Sequence, residues 1–377
     1  MFCLGYRKSE LLSISLLGYV YSFYIRDIFQ YVFSLPAMTY YIFLLVIIGT
    51  VVVIRKKVTK RIIYFEFLFA ITVFMNALIV EYPYYVLLEG IQALLYTSVP
   101  IFIFNKDFQL KKFILLWYKF SKYNAILVIF TYYLYTNEIF NYGIFSFLIL
   151  PNVIAIGLHI ILKKIISCTD IIILLLNIFI IIIFGGRTSG MVCLLMIYIA
   201  VFNMQNLRSK TIMLLLPLLL FICLFVYIET IVNSLMNFML SHNLQSRSLH
   251  LLANFIDTQE IYLTGRGDIW LLCYEKIIEN MGFPGGFGLV LYMTDGKYYY
   301  AHNIFLQLFL TFGVFISFYV ILLVIHKLRK ICMDNDRCLK IFILYLSTTY
   351  FFIGLIDSSF WINTFSTLVI ASMFFYN

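Results

Sequence analysis

Three polar residues in apolar or glycine-rich surroundings have side chains that could do chemistry. They are Arg187 in Gly185-Gly186-Arg187-Thr188-Ser189-Gly190, Arg266 in Gly265-Arg266-Gly267-Asp268-Ile269-Trp270, and His302 in Ala301-His302-Asn303-Ile304. Each arginine comes just before a stretch that reads as a helix, and a helix N-terminus presents unpaired N–H groups and a positive dipole end. A guanidinium there matches phosphate oxygens, and a histidine can take and return a proton near neutral pH. Together the three could hold a diphosphate while one proton is moved. Each also has a plainer reading. Arg187 can snorkel and set the depth of its helix, Arg266 can pair with Asp268 or Glu275, and His302 can be an interfacial polar residue. The residues alone leave both readings open.

Other motifs carry less. Gly285-Gly286-Phe287-Gly288 reads as a turn, because a nucleotide fingerprint needs a strand before it and a helix after it. Here the run follows a helix and leads into a loop. Arg266-Gly267-Asp268 as an adhesion tripeptide is a chance match. No zinc spacing, nucleophile elbow or Walker loop occurs, so neither a metal nor a cofactor is expected. The cysteines, seven in all, leave only Cys273 outside the membrane in the topology below, so no external disulfide is expected.

The elements that position these residues must lie in a bilayer. The chain is 63% hydrophobic and 12% charged, against about 45–50% and about 25% in soluble domains. Water could not cover such a surface, whereas lipid can, provided each helix satisfies its own backbone. A net charge of +9 would suggest nucleic acid in a soluble protein. Here the basic residues form short clusters between apolar runs, as membrane topology requires, so no nucleic-acid partner is expected.

A hydrocarbon core about 30 Å thick needs about 20 apolar residues per helix. Spans are expected near 11–25, 36–54, 62–80, 84–104, 120–136, 139–162, 169–184, 188–204, 211–229, 303–325, 341–356 and 362–376. With both termini in the cytoplasm, Arg26, Arg187, Arg247, Arg266, Lys276 and Lys297 are the only ones of the 27 Lys and Arg left outside. The first apolar run, after Arg7 and Lys8, has no small-residue cleavage site and is expected to be a retained helix. The expected fold is thus an all-α polytopic membrane protein of about twelve transmembrane helices, N-in and C-in. Helices 1–9 would occupy 1–229, a large extracytoplasmic loop with short helices 230–302, and helices 10–12 residues 303–377. Arg187, Arg247 and Arg266 are retained outside against topological pressure, which marks them as candidates. Within the loop, Asp268 is expected to cap a helix from Ile269 to about Glu279, ended by Gly282 and Pro284. The loop is expected to fold on the membrane surface.

The ordered set Gly265, Arg266, Trp270, Pro284, Gly286, Gly288, His302, Asn303, Leu306, Gln307 and Gly313 resembles the O-antigen ligase and Wzy-type O-antigen/capsule polymerase superfamily. That family's SR-type helix start corresponds to Gly186-Arg187, with Gly in place of Ser. The resemblance implies a GT-C-like, metal-independent glycosyltransferase. It would take a glycan from undecaprenyl diphosphate and transfer it to a sugar hydroxyl on the outer face of the bacterial cytoplasmic membrane. Arg187 and Arg266 would stabilise the diphosphate leaving group, and His302 would serve the acceptor hydroxyl. Asp268, Asn303 and Trp270 are the expected substrate contacts, joined by Arg247, which matches no motif of the family and is a candidate only as a retained external charge. The implied partners are an undecaprenyl-diphosphate-linked oligosaccharide, the lipid bilayer, a chain-length regulator and a flippase.

Polymerase and ligase share these elements, and the polymerase reading is preferred because the chain is short and its motifs weak. A flippase or other transporter is the alternative of another class. It should pair ionisable residues near the midplane, and Glu66 and Glu89 are the ones to consider. Their plainer role is hydrogen bonding within the bundle.

Overall fold

In a computed structural model the protein is described over residues 2–36, 38–55, 58–104, 108–136, 143–204, 229–230, 232–241, 247–258, 265–356 and 363–375. Helices account for the regular structure, and no strand occurs among these residues. In chain order they are α1 (Phe2–Val20), α2 (Ser22–Asp27, continued by a π-turn over Ile28–Val32), α3 (Met38–Arg55), α4 (Lys60–Ile79), α5 (Pro83–Ile103), α6 (Leu110–Tyr123), α7 (Ala125–Thr136) and α8 (Gly143–Lys163). There follow α9 (Cys168–Phe184), α10 (Arg187–Phe202), α11 (Arg247–Thr258), α12 (Arg266–Glu279), α13 (Leu289–Met293), α14 (Ile304–Cys332), α15 (Arg337–Ile356) and α16 (Thr364–Phe375).

Among the described residues six helices are long and apolar enough to cross a membrane: α3, α4, α5, most of α8, α14 and α15. Counting the pair α6–α7, bent by 54°, as one span makes seven. The helices α9, α10 and α16 are apolar but shorter. Helix α1 includes Arg7, Lys8 and Glu10 and does not meet the same measure of apolarity. All but the last residue of the expected span at 211–229 lies outside the described residues. A helical membrane protein is therefore the architecture, with fewer described spans than the twelve expected.

The chain divides into two compact units, Met1–Ser22 with Leu35–Leu116 and Thr264–Asn377, and Phe23–Ser34 with Trp117–Leu263. The segment expected as a single loop, 230–302, is thus shared between them.

In the first unit α5 is the inner helix. Its Glu89, Gly90, Gln92, Ala93, Thr97 and Ser98 are all buried, and a side chain at Gly90 would overlap Val73 of α4. Small residues of this kind let membrane helices approach closely. A buried chain of hydroxyls ties the helices together. The Tyr19 hydroxyl donates to the Tyr96 carbonyl at 2.9 Å, and Tyr40 bonds both the Tyr96 hydroxyl and Ser22. Ser98 donates to Glu66 Oε2 at 2.7 Å.

In the second unit the inner helix is α8. At the α6–α7 bend, Asn124 exchanges hydrogen bonds with Asn152, and both residues are buried. Asp170 caps the start of α9 with Ser167 and accepts from Lys122 at 2.9 Å and from the Tyr118 hydroxyl at 3.0 Å. The His159 ring stacks on that of Tyr118. Every partner around Asp170 is thus already engaged, and the cluster is a structural joint.

Candidate functional site

The His302 region is held by α14, and α14 is not straight. Gly313, with φ +75° and ψ 167°, breaks it. The hydroxyl of Ser317 donates to the Leu308 carbonyl at 2.7 Å, although nine residues of straight helix would span about 14 Å. The limb Ile304–Phe312 is therefore folded sharply over the spanning limb that follows. A side chain at Gly313 would strike the Gly282 carbonyl and Pro284, so the break and the turn beside it require one another.

Into this break fits the glycine-rich turn after α12. Gly285 and Gly286 donate to the carbonyls of Leu310 and Thr311 at 2.7 and 3.1 Å, and Val314 donates to the Gly282 carbonyl at 2.9 Å. Phe287 N–H donates to Asn76 Oδ1 of α4 at 2.9 Å, and Gly288 N–H donates to Glu89 Oε2 of α5. The other oxygen of Glu89 accepts Gln307 Nε2 at 3.0 Å, and Gln307 Oε1 accepts Ala301 N–H at 2.9 Å. The backbone just before His302 is thus fixed by a side chain fixed in turn by a buried carboxyl group. Tyr82, at the start of α5, donates to the Gly285 carbonyl. Burial first, and then Glu89 and Tyr292, push the Tyr82 phenol up to about 12, which keeps it a donor at neutral pH. The run 285–288 is a turn as expected, but it leads into the short helix α13 rather than an open loop.

Helix α12 packs on the same scaffold. Ile269 and Cys273 join Leu289, Val290, Ala301 and Leu310 in one buried cluster, flanked by Tyr298. Burial pushes the Cys273 thiol up to about 12. Arg266 is the first residue of α12 and follows Gly265, the N-cap. Asp268 is not the cap. The helix starts three residues earlier than the expected Ile269, leaving Asp268 exposed in its first turn. A side chain at Gly265 would come within 2.9 Å of the Tyr298 hydroxyl, and the close packing of that phenol at the helix start favours glycine there. The Tyr298 ring stands edge-on to the His302 ring at 6.1 Å, with Tyr300 on His302 at 4.5 Å and Lys297 over Tyr298 at 5.3 Å.

The first unit therefore brings the Gly265-Arg266 helix start, Tyr298 and His302 together. His302 itself holds φ +52°. Asn303 is occupied otherwise: its Oδ1 caps α14 by accepting from Phe305 and Leu306, and its Nδ2 donates to the Leu355 carbonyl at 3.3 Å. Trp270 is half-buried, and its enclosed indole N–H has no hydrogen-bond partner among the described residues. Arg187 and Arg247 belong to the second unit, where each is the first residue of its helix, α10 and α11. Their side chains lie outside the described part of the structure. The N–H of Gly186, before Arg187, donates to Ser146 Oγ at 3.1 Å.

Immediately after His302 and Asn303, the residues Ile304, Phe305 and Leu308 line an apolar cavity of about 450 Å³ between α14, α15 and α16. Ile325, Tyr350 and Ile370 line its other sides. Among the described residues no three His, Cys, Asp or Glu side chains converge as metal ligands would. The arrangement is suited to holding an anion at the α12 start, to proton handling at His302 and to receiving a hydrocarbon chain beside them.

Glu89 makes hydrogen bonds inside the protein, the plainer of its two expected roles, but the turn it holds is not evident from the sequence, and Tyr298 has no role in the sequence reading. A carboxyl group in an apolar helix was a visible signal for Glu89; Tyr298 sits in a run of three tyrosines and offered none.

No family model, curated protein or solved structure matches this chain.

Proposed function

We propose that the chain is a polysaccharide polymerase, of the O-antigen or capsule type that its motifs resemble, spanning the bacterial cytoplasmic membrane about twelve times with both termini inside. The observation that supports this most is the grouping of the Arg266 helix start, Tyr298 and His302 beside an apolar cavity. Transfer from a lipid-linked diphosphate needs a hydrocarbon slot, a cation for the diphosphate and a proton handler for the acceptor hydroxyl. In the reaction, the acceptor sugar hydroxyl attacks the anomeric carbon of the donor glycan. The new C–O bond forms as the bond from that carbon to the diphosphate oxygen breaks. His302 takes the hydroxyl proton, and Arg266 holds the charge that develops on the departing undecaprenyl diphosphate. On the resemblance alone Arg187 is a further diphosphate contact and Trp270 a substrate contact; Arg247, a retained external charge, is a further candidate for substrate. A flippase that supplies the donor and a chain-length regulator are the expected partners. The engagement of both oxygens of Glu89 in holding the turn favours this reading over a transporter that would use that group.

Complementation tests the proposal. Deleting the gene in its host should leave single repeat units on the acceptor, and wild type but neither His302→Ala nor Arg266→Ala, at equal expression, should restore the ladder of long chains. Full-length chains from both variants would exclude the site. Lipid-linked polymer accumulating unattached in the deletion strain would make the protein a ligase.

A further inference from the structure

Helix α12 has three faces, and only two have an evident use. Ile269 and Cys273 face the buried cluster. Asp268, Glu275 and Glu279 form an exposed acidic row. Between them Leu271, Tyr274 and Ile278, at spacing i, i+3 and i+7, form a third row that is 57–59% exposed. Met281 and Phe283, at 82% and 69%, continue it past the helix end.

This apolar row adjoins the lipid-facing surface of the spanning helices. Gly282, between Met281 and Phe283, packs on Val314, where a Cβ would lie 3.2 Å from that side chain. The next residues of α14, Phe315, Phe318, Tyr319 and Leu322, are 54–81% exposed along a helix apolar enough to span a membrane. Four residues beyond Phe283, Phe287 is bonded to Asn76 of α4, whose last turn exposes Leu78 and Ile79. The row thus runs between the exposed flanks of two spanning helices.

We propose that α12 is an in-plane membrane anchor. Leu271, Tyr274, Ile278, Met281 and Phe283 sit at the headgroup–acyl boundary of the adjoining leaflet, and the acidic row faces water. A helix with one apolar and one charged face takes this position without spanning. Interfacial helices are commonly basic on the polar side; this one is acidic, so its hold on the bilayer is apolar and does not depend on anionic lipid. The consequence is positional. Arg266 begins the anchored helix and His302 lies against the Tyr298 that packs on its start, so both are held at headgroup height. The inference does not depend on the proposed glycan transfer.

The test uses the full chain in phosphatidylcholine nanodiscs, where lipid and the encircling scaffold belt are the only other components. Single cysteines are placed at Ile278, Phe283, Glu275 and Asp295, with the unaltered chain as the blank for its own thiols. A membrane-impermeant maleimide should label Glu275→Cys and Asp295→Cys at least about tenfold faster than Ile278→Cys and Phe283→Cys, since an apolar environment suppresses the thiolate. In parallel, the added fluorescence of Phe283→Trp should be quenched by lipids brominated near the headgroup end of the chain. Equal labelling at all four positions overturns the proposal. Slow labelling without quenching also overturns it, because the row would then be covered by protein.

Discussion

Replacing Glu89 with alanine should release the turn that supports His302. Glu89 accepts two hydrogen bonds in a buried setting, from Gly288 N–H and from Gln307 Nε2. Leaving a buried donor unpaired costs about 1–3 kcal/mol, so the variant loses about 2–6 kcal/mol at this joint. Amide exchange at Gly288, if it proceeds by local opening of the turn, should accelerate by about 5–150-fold for the one bond it loses directly. The effect should reach the Ala301 amide through Gln307, while amides of α8 in the other unit keep their rates. Glu89→Gln keeps a single acceptor oxygen and should fall between the two. Hydrogen exchange read by mass spectrometry on the purified protein is the assay. Unchanged exchange over 285–301 in Glu89→Ala would show that the carboxyl group does not carry the turn.

Two further outcomes follow from the same region. Gly288→Ala should lower the thermal midpoint more than Gly296→Ala. Both glycines hold φ near +75°, but a Cβ at Gly288 would meet the Tyr85 carbonyl while Gly296 faces open space, so the second change costs only about 1–2 kcal/mol of backbone strain; equal midpoints would refute the packing argument. The Cys273 thiol, buried and pushed up to about 12, stays protonated through neutral and mildly basic pH. Its alkylation in the folded protein should stay negligible from pH 7 to 9, where an ordinary thiol near 8.5 becomes largely thiolate. Brisk labelling of Cys273 in that window, followed by peptide mass mapping, would show that α12 is not packed on its cluster.

Much of the chain was legible because membrane helices are specified by composition over a window. The break at Gly185-Gly186 was read between spans 169–184 and 188–204, and helices occupy Cys168–Phe184 and Arg187–Phe202. The end of α12 before Gly282 was legible for the same reason, since Gly and Pro stop helices locally. Its start was not. Asp268 has the chemistry of a cap, yet the helix begins at Arg266 behind Gly265, in close packing with Tyr298 from far along the chain. The resemblance makes Asn303 a substrate contact, whereas in the structure both ends of its amide are engaged by α14 and α15. Gly313 was noted as part of a motif, but its role as the fold-over of α14 depends on the turn lodged against it.

By itself, then, the sequence determined that this is a helical membrane protein, where most described helices lie, and that Arg266 and His302 stand out chemically. Those properties follow from local patterns of apolar, basic and glycine residues. Tertiary structure alone decided that Glu89, Asn76 and Gln307 clamp one glycine turn, that Tyr298 packs between the Gly265 cap of α12 and His302, and that α12 keeps an apolar row exposed. Each of these depends on contacts between residues distant in the chain, and a side chain's type states what it can bond but not what will be brought to it.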